Sequence, residues 1–488
     1  MSVDELSFAE FPEVDRHVWR QAVEKILKGA DFDRRMVTRT EDGLAIQPLY
    51  GADDPAGDAG VPGRFPYVRS GRGLDAAWRI EQRQAHPDPA TANKQALDDL
   101  EHGVEALRLA IADPLAEHRD GIMLKEPGEL ARVLDQVVTD AAPVSLEAGS
   151  RGLEMARALV ARWRESGAEP TTVAGDLHID PLAALARTGK LHRGPAEAFA
   201  EIAGFVGEID GRFPQARALG VDLRPAHEAG AGPSLELAVG LAQAAEVLRL
   251  AERGGLTPEV AVRQLTWLVP VDDDVFIGIT KLRALRRCWS TMARAVGSDA
   301  APRVVAETSR RMLARRDAYV NLLRNTLAAF AGATGGADAL TVLPFTASLG
   351  LPDRSARRMA RNTQLILREE AVLDRVVDPG GGSFYVENLT DELAAAAWST
   401  FQALEREGGF LSLMESGALA ARIDAQWAKR ERGLATRREM ITGVSAFPLV
   451  DEHKVELDPF DAGALQAALT AAAPAAAKRV APLPRATT

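Results

Sequence analysis

The chain predicts an α/β fold: a (β/α)8 TIM barrel with an N-terminal helix-hairpin extension and a C-terminal helical segment. Three observations carry this. First, the stretch from Ala339 to Glu387 places an apolar β-rich run (Leu340–Phe345), a loop with Gly350 and Pro352, and a helix-period segment in series. A second apolar run (Val372–Val377) and the glycine cluster Gly380–Gly382 follow, giving the order of a βαβ unit. Second, eight β-like runs alternate with helical segments along the chain. Third, 488 residues are ample for such a barrel. An open doubly wound sheet is the architectural alternative.

The β-like runs are Val104–Ala110, Pro143–Leu146, Thr171–Ala174, Gly220–Leu223, Thr266–Val271, Val304–Glu307, Leu340–Phe345 and Leu373–Val377. Helical spacing appears between them at Pro127–Thr139, Gly152–Glu165, Pro195–Asp210, Ser234–Glu252, Val275–Val296, Arg310–Phe330 and Pro352–Glu370. Ahead of the barrel, residues 1–65 read as an extension. It holds a helix at Asp15–Lys28, a hairpin over Arg39–Tyr50 turning at Asp42-Gly43, and a Gly/Pro/Asp loop from Gly51 to Gly63. The barrel is assigned to 66–388 and a helical segment packed on it to 389–462. That segment includes Thr390–Glu405, whose apolar face is Leu393, Ala397, Phe401 and Leu404, and Ala418–Glu431. The alanines of the tail, 463–488, can form one more helix, and its proline-containing end is expected to be disordered.

Composition narrows the function. Hydrophobic content of 46% and charge of 26% are those of an ordinary soluble protein. A net charge of −11 speaks against nucleic acid or an anionic membrane surface as partner. No run approaches the roughly 20 apolar residues of a membrane span, and the acidic N-terminus is unlike a signal peptide. The single cysteine, Cys288, excludes an intrachain disulfide, fits a reducing cytoplasm and reads as a buried thiol.

Two long segments, SARRMARNTQLILREE (Ser355–Glu370) and VVDPGGGSFYVENLT (Val376–Thr390), resemble late barrel segments of the methylmalonyl-CoA mutase family, and ITGVSAFPLVDE (Ile441–Glu452) is similar to its closing segment. The resemblance spans about residues 8–455. It implies an acyl-CoA mutase-like barrel and chemistry with adenosylcobalamin. It also makes the N-terminal extension similar to an arm that reaches toward another subunit in paired mutases; a helix and hairpin packed on their own barrel fits equally.

The family's functional positions are largely replaced here. The cobalamin motif Asp-x-His-x-x-Gly has one near match, Asp176-Leu177-His178-Ile179-Asp180-Pro181, with Pro in place of Gly and a position inside the barrel. In FPYVRSGRGLDAAWRIEQRQ, Arg69, Trp78, Ile80 and Gln82 match the family's substrate region. The tyrosine segment is missing, and Glu81 stands where an arginine is expected. The catalytic Tyr-His pair aligns with Arg224-Pro225, or after a shift with Ala226-His227. His227 is therefore the one residual site candidate, with a plain loop histidine as the alternative. The His-Ser-Gln and His-Thr-Asn-Ser stretches become Ala306-Glu307-Thr308-Ser309 and Val342-Leu343-Pro344-Phe345, and the ribose-holding glutamate becomes Ala347. Alternation places Leu343, Phe345, Trp267 and Val269 inside the barrel, an apolar filling that would exclude CoA.

Bland readings serve elsewhere. Gly380–Ser383 lacks Gly-Lys-Ser/Thr and a directly following helix, and so is a turn rather than a phosphate loop. Arg357, Arg358 and Arg361 read as a solvated or ion-paired helix face, and Asp272–Asp274 as a metal-like decoy.

The resemblance thus implies the small (β) subunit of a heterodimeric methylmalonyl-CoA mutase. It implies no catalytic, cofactor or metal ligand in this chain, adenosylcobalamin in the large (α) partner subunit, and a chain end where the linker to a cobalamin domain would begin. A catalytic barrel with its cobalamin domain on a separate polypeptide, and a repurposed stand-alone barrel, are the alternatives.

Overall fold

The computed structural model describes residues 15–54, 56–73, 77–116, 120–460 and 478–483. Its centre is an eight-stranded parallel sheet of strands β1 (Arg79–Gln84), β2 (Ala106–Ala110), β3 (Val144–Glu147), β4 (Ala174–Ile179), β5 (Gln215–Asp222), β6 (Leu265–Val271), β7 (Arg303–Thr308) and β8 (Ala339–Thr341). Neighbours in the sheet are neighbours in sequence, and β8 pairs with β1 (Leu340 opposite Ile80), so the sheet curls into a barrel.

Between β3 and β4 the ladder is interrupted. Gly175 lies so close to β3 that a Cβ there would sit 2.1 Å from the Val144 carbonyl oxygen, and a bulge between Asp176 and Ile179 shifts the register of β4 on β5. A side chain bridges the seam instead, where the Asp176 N–H donates to Ser145 Oγ (3.3 Å).

Most strands have their outer faces covered by helices. Helices Gly152–Glu165, Pro195–Arg212, Pro233–Arg253, Val275–Ala295 and Val320–Thr334 alternate with the strands, and Arg354–Leu365 closes the ring. Pro at the first turn and Asp caps start several of them: Asp180 accepts from Ala183 N–H and Asp274 from Ile277 N–H. Outside the ring lie Phe384–Arg406, Gly409–Glu415 and Ala418–Ala435. The extension is the expected helix, Arg16–Leu27 capped by Asp15, and a short hairpin pairing Thr38–Arg39 with Ala45–Ile46.

Several expectations fail in instructive ways. The run Leu373–Val377 is no strand: Leu373–Arg375 is a 3-10 turn entered through a left-handed Val372 (φ 49°), and Val376 is exposed. The eighth strand is instead Arg79–Gln84, whose sequence RIEQRQ is too polar to register as an apolar run. The strands expected at Thr171–Ala174 and Gly220–Leu223 are Ala174–Ile179 and Gln215–Asp222. Helix Pro127–Thr139 shortens to a 3-10 turn and Leu130–Val133, and the helix expected from Arg310 begins at Val320. The helix expected at Thr390 begins at Phe384, directly after the glycine cluster and capped by Ser383.

Of the tail, the alanine-rich segment 463–477 lies outside the described residues. Of the proline-containing end, residues 484–488 also lie outside the described residues, and 481–483 depart from the expected disorder. Lys478–Arg479 pairs with Lys190–Leu191, and Leu483 is buried with its N–H on the Ala186 carbonyl.

Candidate functional site

The barrel interior is not lined as alternation in the sequence predicted. Trp267 and Val269 face outward: the Trp267 ring meets Trp289 of helix Val275–Ala295 edge-on at 5.1 Å, and Gly240 of helix Pro233–Arg253 packs on it. Phe345 lies past the end of β8 against Tyr319 and Ala356, and Leu343 lines a cleft beside Arg83 and Arg310. Parity along β6 is the other one. Leu268 packs inside with Val305 and Ala339 as a thin apolar layer.

Above that layer, charged side chains cross the interior. Arg108 on β2 reaches Glu307 on β7 (3.0 Å) and pairs with Glu81 on β1. Since β1 and β8 separate β2 from β7 in the sheet, the Arg108–Glu307 bond runs through the barrel. Arg224, just past β5, bonds Glu307 (3.0 Å), Glu147 (3.0 Å) and Asp222 (2.9 Å). Arg83 closes the ring on Glu147 (2.9 Å) and Asp120 (3.2 Å). Thr341 donates to Glu81 (2.8 Å). Buried charges persist only when paired, and each arginine named here faces at least two carboxylates, although Arg108 Nε has no hydrogen-bond acceptor among the described residues. Partial burial raises the carboxyl of half-exposed Asp120, but Arg83 and Arg310 outweigh it and bring it down to about 2. Burial also opposes ionisation of Glu147, yet Arg224 and Arg83 hold it well below the carboxylate range.

Beside the cleft at Leu343, which is about 230 Å³ and also reaches Arg83 and Asp120, the mouth holds a cavity of about 90 Å³, lined by Arg83, Glu147, His178, Arg187, Asp222 and Arg224 among others. Small-molecule sites run to roughly 300–1,000 Å³, so this space suits a few waters or a very small ion.

His227, the residual candidate, sits beside the network in a closed cluster. Its Nδ1 contacts Glu236 (2.8 Å), its Nε2 contacts Ser309 Oγ (2.7 Å), and Lys281 bonds Glu236 (2.9 Å). Burial, with Arg311 and Lys281, pushes His227 well below the usual imidazole value. It is therefore neutral, donating from Nδ1 to Glu236 and accepting the Ser309 hydroxyl at Nε2. His227, Glu236 and Ser309 are each about 1% exposed. The order Ser–His–Glu resembles a nucleophile relay, but no cavity described here is lined by Ser309 or His227.

The cobalamin-motif near match fails on structure. His178 is part of β4, buried beside the mouth cavity, and Asp176 is engaged by Thr266 (2.9 Å) and Arg303 (3.1 Å). A lower cobalt ligand needs an exposed imidazole oriented by a carboxylate, so these residues do not fit that role.

Other motifs resolve locally. Arg357 and Arg361 turn inward onto buried Asp99, and only Arg358 stays exposed. Asp272 and Asp273 pair with Arg311 and Arg324, and Asp274 caps a helix. A helix does follow Gly380–Gly382, contrary to expectation, but the Gly382 N–H already donates to Glu387 (3.0 Å). Burial pushes the Cys288 thiol up to about 12, leaving it inert. Among the described residues no His/Cys/Asp/Glu group is placed to hold a metal ion, and no helix is long and apolar enough to cross a membrane.

The methylmalonyl-CoA mutase family model matches residues 39–479. The chain belongs to the methylmalonyl-CoA mutase family. It is 44% identical over 463 residues to a methylmalonyl-CoA mutase small subunit of Streptomyces virginiae, covering 92% of this chain and 73% of that one. Against the small subunit of Propionibacterium freudenreichii subsp. shermanii it is 34% identical over 470 residues, 93% of this chain and 72% of that one. The Porphyromonas gingivalis small subunit is 31% identical over 456 residues, 90% and 71% of the two chains. Within this mutase fold, the interior acids and arginines are what sequence reading missed. Glu81, Arg224 and Glu307 stand at replaced family positions in the sequence, whereas Arg83, Arg108 and Glu147 carry no such mark. Their signal is charge inside strands, opposite in sign across the barrel.

Proposed function

We propose that this chain is the small, non-catalytic subunit of an adenosylcobalamin-dependent methylmalonyl-CoA mutase. The isomerisation of methylmalonyl-CoA to succinyl-CoA, and the cofactor, belong to a larger partner chain. The observation that carries this reading is the bridging of the barrel interior by Arg108–Glu307 and Arg224–Glu307. A pantetheine arm threaded along that axis would displace paired charges, and breaking such a buried pair costs roughly 3–5 kcal/mol. The names of the similar proteins, small subunits, support a larger partner.

On this reading His227 is a structural residue, and 1–65, 66–388, 389–462 and 463–488 are arm, barrel, packed helices and tail. The partner interface is of the size obligate complexes have, about 2,000 Å² or more. The test is affinity purification of the tagged chain from its own cells, followed by mass spectrometry. A near-stoichiometric larger mutase chain bearing Asp-x-His-x-x-Gly is the expected companion. A small cobalamin-binding chain alone would make this barrel the catalytic one and sink the proposal.

A further inference from the structure

A second cavity, of about 460 Å³, opens on the outside of the barrel next to the interrupted β3–β4 seam. It lies between helix Gly152–Glu165 and helix Pro195–Arg212, and its volume is that of a small-molecule site. Leu153 and Ala158 form one wall, Ala198 and Ile202 the other, with Ile179 and Leu191 among the remaining apolar lining residues.

Charge at its mouth is unbalanced. Arg157 and Arg193 are both about half exposed, and both pair with the single carboxylate of Glu201. Among the described residues of the exposed rim, one guanidinium charge has no acid of its own. Arg151 is matched by Glu154 (3.0 Å). Asp180, also in the lining, spends its oxygens on the N–H groups of Ala183 and Asp222 and on Gln243. Asp113 is set back behind Ser150, whose N–H (2.8 Å) and hydroxyl (2.6 Å) it accepts. That bond leaves Ser150 Oγ to accept from His192 Nε2 (3.2 Å), and His192 Nδ1 is a buried acceptor without a partner among the described residues. An apolar pocket with a cationic rim selects a ligand with an apolar body and one anionic end.

We propose that this cavity binds a medium-chain carboxylate, with the chain between the two helices and the carboxylate at Arg157 and Arg193. The inference does not depend on the subunit role, because the site lies outside the barrel axis.

Calorimetric titration of the purified chain, alone or in its complex, with octanoate tests it. Saturable one-to-one binding is expected. Affinity should rise about fourfold per methylene from hexanoate to octanoate, the transfer free energy of one buried CH2. Octylammonium, with the same chain and the opposite charge, should not bind. Ala198→Trp and Ala158→Trp, which fill the pocket from opposite walls, should each weaken octanoate at least tenfold with an unchanged circular dichroism spectrum. If only one variant folds, that one decides. No octanoate binding, equal binding of octylammonium, or binding that survives a folded tryptophan variant would overturn the proposal.

Discussion

Arg108 on β2 bonds Glu307 on β7 at 3.0 Å through the inside of the barrel, and Arg224 holds the same glutamate from the opposite side. One carboxylate thus ties two arginines from different parts of the ring, so this region should unfold as a unit. Arg108→Met leaves Glu307 with half its partners, and Glu307→Gln leaves two guanidinium groups short of an acid. Each single change should destabilise by about 3–5 kcal/mol. The double variant should lose less than the sum, because its charges leave together. Urea unfolding of the four proteins checks this.

His227→Gln should behave as a packing change. Its ring is enclosed by Glu236 and Ser309, and losing one hydrogen bond of a buried pair costs about 1–3 kcal/mol. Thermal denaturation should show that loss, whereas kcat/KM of the purified complex stays at the wild-type value.

Asp180 gives a pH signature. Burial raises its carboxyl from the ordinary 3.8 to about 7. The folded state therefore holds a proton that the unfolded chain has already released. Its contribution is fully present below about pH 4 and is lost as pH rises to about 7, a few kcal/mol in all. Asp120, brought down to about 2, works in the opposite sense: its contribution is lost as pH falls from about 4 to 2. Asp180→Asn, which can still cap its helix, should flatten the decline between pH 4 and 7. Denaturant titrations at several pH values measure it.

Asp99 anchors a second buried ion-pair cluster at a distance from the barrel axis. Arg357 and Arg361 both turn onto it, and Gln84 donates to it at 2.8 Å. Asp99→Asn should cost about 3–5 kcal/mol by leaving two buried cations unpaired. A conservative Arg358→Gln change on the exposed side of the same helix should stay within about 0.5 kcal/mol.

Legibility of the fold followed apolar periodicity. The long helices Gly152–Glu165, Pro233–Arg253 and Val275–Ala295 appear within about two residues of where their spacing placed them. Leu373–Val377 misled because β-branched residues also occur in exposed turns. Arg79–Gln84 was missed because a strand lining a charged interior carries Glu81 and Arg83 where apolar residues are looked for. That same substitution of charge for bulk explains the interior. A strand such as β6, with all seven residues buried and only Thr266 polar, is covered on both faces, so its sequence holds little parity signal, and Trp267 could be placed only by its contact with Trp289. The loss of the family's functional residues was readable from their positions. What replaced them, an ion-pair ring, requires knowing which strands face one another.

The central claim is that this barrel takes no acyl-CoA along its axis while its partner does. Equilibrium dialysis of succinyl-CoA against the purified complex, without cobalamin, counts the sites. One acyl-CoA per complex, unchanged by Arg224→Met in this chain, is the predicted result. Two per complex, or one that Arg224→Met abolishes, would contradict the account.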